Sequence, residues 1–564
     1  METFTSIIFQ VKINSVWIDI SADVKANPNP KISGMGIMGY GPLDRVGSAA
    51  TLTFALDNSE ANSARTRGYY SPGTSTALTG WTSGLPVMVY CVYDGIYRNL
   101  FYGKIEMDGV DVTPGIYNSR DVKIKASNWM YDANNRSMNL VGYQSTLRSD
   151  LAVQQVVANM PTTPLATSYQ TGTRTFASVF DITRSTSKAS GEFNKMAMSE
   201  LGYIYIKGSH ANQYHIGGET LVFENRTWRY AQRSTPTTIP YHSSQAVSFL
   251  LLETGDKVLL ESGDKVLLDD SQEAVFTEAD FMDMSPVYGD QIYNKVRVNS
   301  YPREDDTSAV VLWNLEKPIY IAAFGSVTIR GTYRDPNGKS AQISGKNMID
   351  PVSGTDWVAK QNADGSGANY TANLTVDATY GTADVEYTLT ETAGFALYVF
   401  TLQARGTGVR VFDSAGLVFE SLASINSYGV SELTIDMPYV DDVTDLFFFS
   451  NNLDRKLREN GDYAVFEDGT YYLYDDAAGV FDLIVSDRPD YYISSSRLLA
   501  NRNKFNMMAF MTLDAGSFIK LSETMTGITP TNTWCINGYD VDIKPGRIIE
   551  WRPVLQNSLT FPKI

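Results

Sequence analysis

From residue 1 to about residue 130 the chain has hardly a stretch of helical periodicity, and this limits its fold more than any single motif does. Leu52, Phe54 and Leu56 alternate with small or polar residues. Residues 85–93 form a continuous apolar run, and Val122, Ile124 and Ala126 alternate with lysines and an aspartate. A period of two sets one side of an extended segment in a core and leaves the other in water. The glycine-rich stretch 34–41 and Asp94-Gly95 supply turns between such segments. The pattern predicts a small β-barrel or sandwich over 1–135.

Composition agrees. With 34 Tyr against 8 Trp, and 43 Gly in the chain, the residue supply suits strands joined by turns, so the protein is expected to be mainly β. A length of 564 residues exceeds what one core usually organises, and about three to five domains are expected. The formal charge of −17 argues against a general nucleic-acid binder, which needs clustered Lys and Arg. Taken alone, the acidity keeps the chain soluble. Cys91 and Cys535 lie far apart within apolar runs and read as buried free thiols. No run approaches the ~20 apolar residues of a membrane span. Met1-Glu-Thr-Phe lacks the basic start of a signal peptide, so synthesis and folding in a cytosol are expected.

Helical signals appear after residue 136. A helix over 150–158 is expected with Ser149 as its cap, and another over 193–201 ending at Gly202. Residues 203–206 and 219–223 read as paired strands, giving a small mixed α/β unit over 136–245. Residues 246–316 hold body strands and a repeat at 250–268, Leu-Leu-Glu-Thr-Gly-Asp-Lys-Val followed by Leu-Leu-Glu-Ser-Gly-Asp-Lys-Val, which reads as a hairpin arm. Asp256 and Asp264 in it each stand beside a lysine, a poor start for a calcium site. Residues 317–404, rich in Thr, Ala and Gly, predict an inserted immunoglobulin-like β-sandwich with a loop edge at 355–370. Residues 405–564 hold the remaining body and a second barrel. Strands are expected at 507–513, 518–521 and 534–537, a hairpin over 539–551 turning at Pro545-Gly546, a helix from 440 to 452, and an exposed hairpin at 460–476.

Few residues invite catalysis. His210, His215 and His242 form neither a HExxH pair nor a triad with a placed serine. The doublets Asp269-Asp270, Asp305-Asp306, Asp441-Asp442 and Asp475-Asp476 are adjacent carboxylates, which usually diverge and do not face one another across a sugar. The pairs Tyr69-Tyr70, Tyr471-Tyr472 and Tyr491-Tyr492 suit either sugar stacking or subunit interfaces. Gly34-Met-Gly-Ile-Met-Gly39 matches GxGxxG, but Tyr40-Gly-Pro42 stops any helix, so a turn is the better reading. No catalytic, cofactor-binding or metal-ligating residue is assigned, and no cofactor or enzymatic activity is expected.

A scattered series of short motifs nevertheless has an order. It runs from Val16-Trp-Ile-Asp-Ile20, Asp44-Arg45-Val46-Gly47 and Leu52-Thr-Phe-Ala-Leu-Asp-Asn58 through Gly68-Tyr-Tyr-Ser-Pro72 and Leu100-Phe-Tyr-Gly-Lys-Ile105. Ser199-Glu200-Leu-Gly202, Phe223-Glu-Asn-Arg226 and Tyr293-Asn-Lys-Val-Arg-Val298 follow, then Ala404-Arg-Gly-Thr407, Ser424-Ile425 with Tyr428-Gly429, residues 438–442, Ser522-Glu-Thr524 and Pro545-Gly546. In this series the chain resembles the tail-tip or baseplate hub proteins of tailed bacteriophages. The resemblance implies two tail-tube-like β-barrels per subunit and a homotrimer that adapts a sixfold tail tube to a threefold tip in the virion. Its implied partners are the distal tail or tail tube protein, the tape measure protein, and tail fibres or other baseplate proteins. DNA would pass through the lumen without specific binding, along an acidic wall that repels phosphate. The insertion departs from that pattern, and no fibre, stalk or peptidase is expected past Ile564. The alternatives are a carbohydrate-binding adhesin or receptor-binding protein of the tail, and a wall-degrading enzyme.

Overall fold

The computed structural model describes residues 2–113, 120–181, 183–184, 186–208, 210–211, 218–232, 235–239, 272–289, 292–338, 342–441, 464–465, 471–472, 491–529 and 533–557. Among the described residues the main body is a fourteen-stranded sheet. Eleven of the strands follow in the order Phe281–Tyr288, Tyr491–Leu499, Ile548–Asn557, Thr533–Lys544, Lys31–Gly36, Thr51–Asp57, Asp121–Ser127, Ile96–Val112, Pro86–Tyr93, Ser6–Ile13 and Val16–Asp19. The alternation read from the sequence is realised in the amino-terminal strands. Leu52, Phe54, Leu56, Val122, Ile124 and Ala126 are buried, whereas Thr53, Lys123 and Lys125 face water. Pro86–Tyr93 is buried on both faces, because Met88, Tyr90 and Val92 pack under Ile8, Trp17 and Tyr102 on the side away from the main core.

Two separate barrels were expected, and the described residues form instead one continuous sheet with a shared core. That core joins Phe4, Phe9 and Leu52 to Trp534, Tyr539 and Trp551, residues from opposite ends of the chain. The amino-terminal half curls: the rings of Phe9 and Phe54, on strands that are not neighbours, lie 5.4 Å apart. An isolated bridge between Val24 and Leu56 brings the chain back onto Thr51–Asp57, supported by the Lys25 N–H bond to the Ala55 carbonyl at 2.8 Å. One bridge is not a ladder, so the curl stops short of a closed barrel.

The seam between the halves is the strand Lys31–Gly36, which pairs with Thr51–Asp57 on one side and Thr533–Lys544 on the other. The sequence placed a turn at 34–41. The backbone stays extended through Gly36 by way of a register shift between Ile32 and Met35, with Gly34 and Gly36 at φ of +84° and +75°. A Cβ on Gly538 would lie 2.3 Å from the Met35 carbonyl oxygen and 2.6 Å from that of Ile37. Glycine therefore serves close approach here, besides bending the chain.

The mixed unit contains the helices Ser149–Ala158 and Ala189–Glu200 beside a three-stranded sheet of Tyr203–Lys207, Thr220–Glu224 and Ala166–Tyr169. Two details differ from expectation. Ser149 is the first helical residue and its buried hydroxyl caps nothing. Leu201, not Gly202, takes the left-handed position that ends the second helix, at φ +58°; Gly202 is needed because a Cβ there would sit 2.5 Å from the Glu224 carbonyl oxygen. A larger difference lies at 507–513, read as a strand. The chain forms the helix Lys504–Thr512, started by Asn503, whose side chain accepts from the Asn506 N–H at 2.7 Å. Residues 506–511 are all buried, and a helix covered on every side has no amphipathic period to read.

The insertion has two sheets around one core. One is built on the long strand Leu397–Val411, which pairs with Arg303–Asn314, Ile319–Ile321, Gln342–Ile349 and Trp357–Lys360. The other comprises Ser326–Thr332, Asp384–Glu391 and Leu374–Tyr380. Leu312, Tyr387, Leu389, Val399 and Leu402 fill the space between them. Its body-side turn is fastened by Thr382, whose N–H and hydroxyl both bond the Val141 carbonyl, at 3.0 and 2.9 Å. The repeat at 250–268 and most of 440–452 lie outside the described residues, as does the hairpin at 460–476 apart from the paired Ala464–Val465 and Tyr471–Tyr472. Among the described residues no helix is long and apolar enough to cross a membrane.

The seam yields a paired prediction. Gly538→Ala should lower unfolding stability by about 1–3 kcal/mol, the usual cost of overpacking. Gly191→Ala, in an exposed helical position with open space around it, should raise stability by about 0.5–1 kcal/mol. Urea midpoints of the two variants should move in opposite directions; equal shifts would refute the close strand approach.

Candidate functional site

The motif Ser199-Glu200-Leu-Gly202 and residues 438–442, 240 apart in sequence at Ser199 and Tyr439, meet in the structure. Tyr439 is buried in the core of the mixed unit, with its ring 5.5 Å from that of Phe176. Its N–H donates to the Ser199 hydroxyl at 3.0 Å and its own hydroxyl donates to Glu192. Burial, then the Glu192 carboxylate, push the Tyr439 hydroxyl far above its ordinary pKa, so it stays a proton donor. Beside it, Arg303 donates to Asp181 at 2.6 Å, to the Tyr301 carbonyl at 2.8 Å and to the Pro438 carbonyl at 2.5 Å. Met198 and Leu201 pack against Leu433, Ile435 and Met437, which completes the joint with apolar contact.

A second joint ties the mixed unit to the seam. The guanidinium carbons of Arg45 and Arg229 lie over the Tyr203 ring at 4.9 and 3.6 Å, and all three side chains are buried. Arg229 donates to Glu224 and to Asn537, both at 2.7 Å. Glu224 also accepts from the Tyr205 hydroxyl at 2.7 Å. Asn537 in turn donates to the Gly39 carbonyl at 2.9 Å and to Gln556 at 3.0 Å. Arg45 donates to the carbonyls of Leu201 at 2.6 Å and Pro42 at 2.9 Å. Segments near residues 40, 203, 226 and 537 are thereby locked by one network.

Other motif residues have local tasks. Glu200 accepts from the backbone N–H groups of Thr173 and Arg174 at 3.1 and 3.0 Å. Asn225 starts the helix Arg226–Gln232 by accepting from the N–H groups of Thr227 and Trp228. This arrangement fixes geometry. Its carboxylates are each engaged by donors of the protein itself, which suits a joint more than a proton-transfer centre.

The carboxylate doublet that is fully described diverges: Asp305 pairs with Lys346, whereas Asp306 accepts from Arg410, which also reaches Asp335 at 3.3 Å. Tyr70 is buried and donates to Asp23 at 2.5 Å; Tyr492 stacks on Tyr40 at 5.0 Å, and Tyr491 meets Tyr288 at 5.0 Å. Cys91 and Cys535 are separate buried thiols whose pKa values burial pushes up to about 12. His210 lies in a two-residue strand paired with Tyr97 and Arg98. His215, His242, Asp256, Asp264, Asp269, Asp270, Asp442, Asp475 and Asp476 lie outside the described residues. Among the described residues no three His, Cys, Asp or Glu side chains gather as metal ligands would. Sequence reasoning missed Arg229 and Glu219. Arg229 belongs to no periodic or spaced motif, Glu219 was read only as the start of the strand 219–223, and the fold alone gives them their partners.

No family model matches the chain, and no curated protein matches it. Solved structures align along nearly all of it at low identity. The tail protein from Neisseria meningitidis MC58 is 6% identical, covers 99% of this chain and 98% of its own, and has a TM-score of 0.42. The prophage MuSo2 43 kDa tail protein from Shewanella oneidensis is 8% identical, with coverages of 98% and 99% and a TM-score of 0.41. Prophage tail protein gp18 from Listeria monocytogenes EGD-e is 8% identical, with coverages of 97% and 94% and a TM-score of 0.34.

Two predictions test these joints. Arg229→Met leaves Glu224 buried without its cation and should cost about 3–5 kcal/mol in urea unfolding. Arg229→Lys should also destabilise, because an ammonium lacks the planar fork and ring contact; wild-type stability in both variants would remove the network from its central role.

The second concerns Glu219, buried against the start of the helix Trp129–Asn135, where the Trp129 N–H faces both its oxygens at 3.3 Å. Burial pushes its carboxyl up to about 8 from 4.5, against the pull of the Trp129 N–H and of Lys104. A raised carboxyl pKa means that the folded state holds the proton more tightly. Its contribution is therefore complete below the unfolded value and is lost as pH rises through the folded one. Between about pH 4.5 and pH 8 stability should fall by roughly 5 kcal/mol from this group, and Glu219→Gln should flatten that slope in pH-dependent unfolding.

Proposed function

We propose that this chain is a structural subunit of a phage tail, a hub at the distal end that adapts a sixfold tube to a threefold tip as a homotrimer. In this reading the two halves of the continuous sheet together face the tube, and DNA passes a lumen wall made repellent by acidic side chains. The tail tube and tape measure proteins contact the body, and fibres or other baseplate proteins contact the outer parts. The chain itself catalyses nothing.

The observation that carries the reading is the outer strand of the long sheet. Phe281–Tyr288 pairs on one side only, with Tyr491–Leu499, among the described residues. It holds Met282 and Tyr288 at 47% and 60% exposure. An eight-residue edge with half-exposed apolar side chains is a template for another chain. A contact between this edge and a different surface of the next copy is heterologous, and such contacts close into rings when the rotation allows. The ordered sequence motifs support the same assignment, and those at Ser199-Glu200 and 438–442 lie at a joint that fixes the body.

Light scattering on the purified chain over a range of concentrations tests the proposal. The expected mass is three times that of the chain, and Met282→Lys combined with Tyr288→Lys should yield monomers with unchanged circular dichroism. A monomeric wild-type protein at every concentration would sink the ring-forming account.

A further inference from the structure

The insertion points its loops away from the body. In Leu397–Val411 the Val411 end pairs with Arg303 and the Leu397 end with Ile321. At ~3.3 Å per residue, the far end of this strand stands about 45 Å from the entry point. Three loops gather there, residues 322–325, 361–373 and 392–396, each leaving a strand whose register places that terminus outermost. Binding surfaces are commonly built from such loops on a rigid scaffold.

Aromatic side chains concentrate at this end. Phe324 is 75% exposed, Tyr320 53% and Phe395 47%. Tyr370 stacks on Phe395 with centroids 5.1 Å apart and planes at 11°, and Tyr320 packs against Tyr398 at 5.3 Å. Phe324 is also held in the left-handed region at φ +56°, which is strained for a bulky residue. Phe180 and Leu201 share that conformation at φ +66° and +58°, but both are buried, so packing offsets the strain. Phe324 has no such compensation.

What holds it is Glu391, a buried carboxylate that accepts from the N–H groups of Phe324 at 2.8 Å, Ala393 at 2.7 Å and Gly394 at 2.8 Å. Burial opposes its charge, yet these donors keep its pKa below the usual glutamate value. The rings are thus presented on a fixed backbone.

The rim identifies the ligand chemistry. Residues 361–373 supply Gln361, Asn362, Ser366, Asn369 and Asn373 beside one carboxylate, Asp364, which accepts from the Ser366 N–H and hydroxyl, and none of the three loops contains Lys or Arg. A nucleic-acid site needs cations, and protein interfaces favour Arg and Met beside their aromatics. Flat apolar rings bordered by amides and hydroxyls fit a pyranose, whose C–H face packs on a ring while its hydroxyls pair at the edge. We propose that the outer end of the insertion binds neutral saccharide chains, a property independent of the tail assignment.

Native affinity electrophoresis of the full chain tests this, in gels containing dextran, mannan, galactan or hydroxyethyl cellulose. At least one should retard the wild type, and Phe324→Ala with Phe395→Ala should weaken retardation about tenfold or more, a loss of ~1.4 kcal/mol. Tyr428→Ala, an exposed tyrosine in the helix Leu422–Tyr428, should leave it unchanged. Phe324→Asn separates binding from folding, since Asn tolerates the left-handed region: its melting temperature should hold or rise while retardation is lost. No retardation in any gel, retention by the double variant, a fall in melting temperature for Phe324→Asn, or an equal mobility change without polysaccharide would each overturn the proposal.

Discussion

Taking a guanidinium out of water costs several kcal/mol, and the body of this protein does so at Arg229 with a carboxylate beside it. The cost is tolerable only if the donors and acceptors of the pair are met in good geometry. Here Nε meets Glu224 and Nη1 meets Asn537 from the last third, while the Tyr203 ring lies under the guanidinium. Asn537 passes the constraint to Gly39 and Gln556. A slip of one residue in any contributing strand would strand a buried charge. The network therefore acts less as a source of stability than as a device that forbids alternative registers.

That role explains why the glycine seam can exist. Lys31–Gly36 and Thr533–Lys544 approach closely because Gly36 and Gly538 lack side chains. Glycine by itself specifies register weakly. Specification comes from the flanking polar bonds, including the Gly34 N–H to Asp540 at 2.9 Å and the Ile37 N–H to the Asn537 carbonyl at 2.8 Å. Small residues permit the contact, and the polar groups around them select it.

The sequence made local periodicity legible and little else. Alternation at Leu52, Phe54 and Leu56 marked a strand because one face is wet. The helix at 504–512 was hidden because both its faces are dry, and Met and Phe suit strand and helix alike at that burial. Strand order was hidden for another reason. The partner of Lys31–Gly36 lies some 500 residues away, and no window of sequence contains it. The motif residues Ser199 and Tyr439 stood out as words, but the bond between them spans 240 residues, and Arg229, which no motif marks, meets Asn537 only through the fold. The hairpin at 539–551 was readable because Pro545-Gly546 concentrates the turn signal in two residues.

Charge bears on how copies of the chain can meet. Several of its buried cations already sit against carboxylates, as in Arg229 with Glu224, Arg303 with Asp181 and Arg410 with Asp306. Each such pair is neutral as a unit and removes equal numbers of both signs from view. The chain as a whole carries a formal charge of −17, and like-charged copies repel at distances up to about the Debye length of 8–10 Å. Any union of copies has to overcome that repulsion with contacts that do not rely on charge. Backbone pairing at a strand edge and burial of Met282 and Tyr288 are contacts of that kind. The same reasoning sets the insertion apart: its outer loops offer neither the cations nor the long strand edge that a further copy would need, and their exposed rings are left for a ligand without charge.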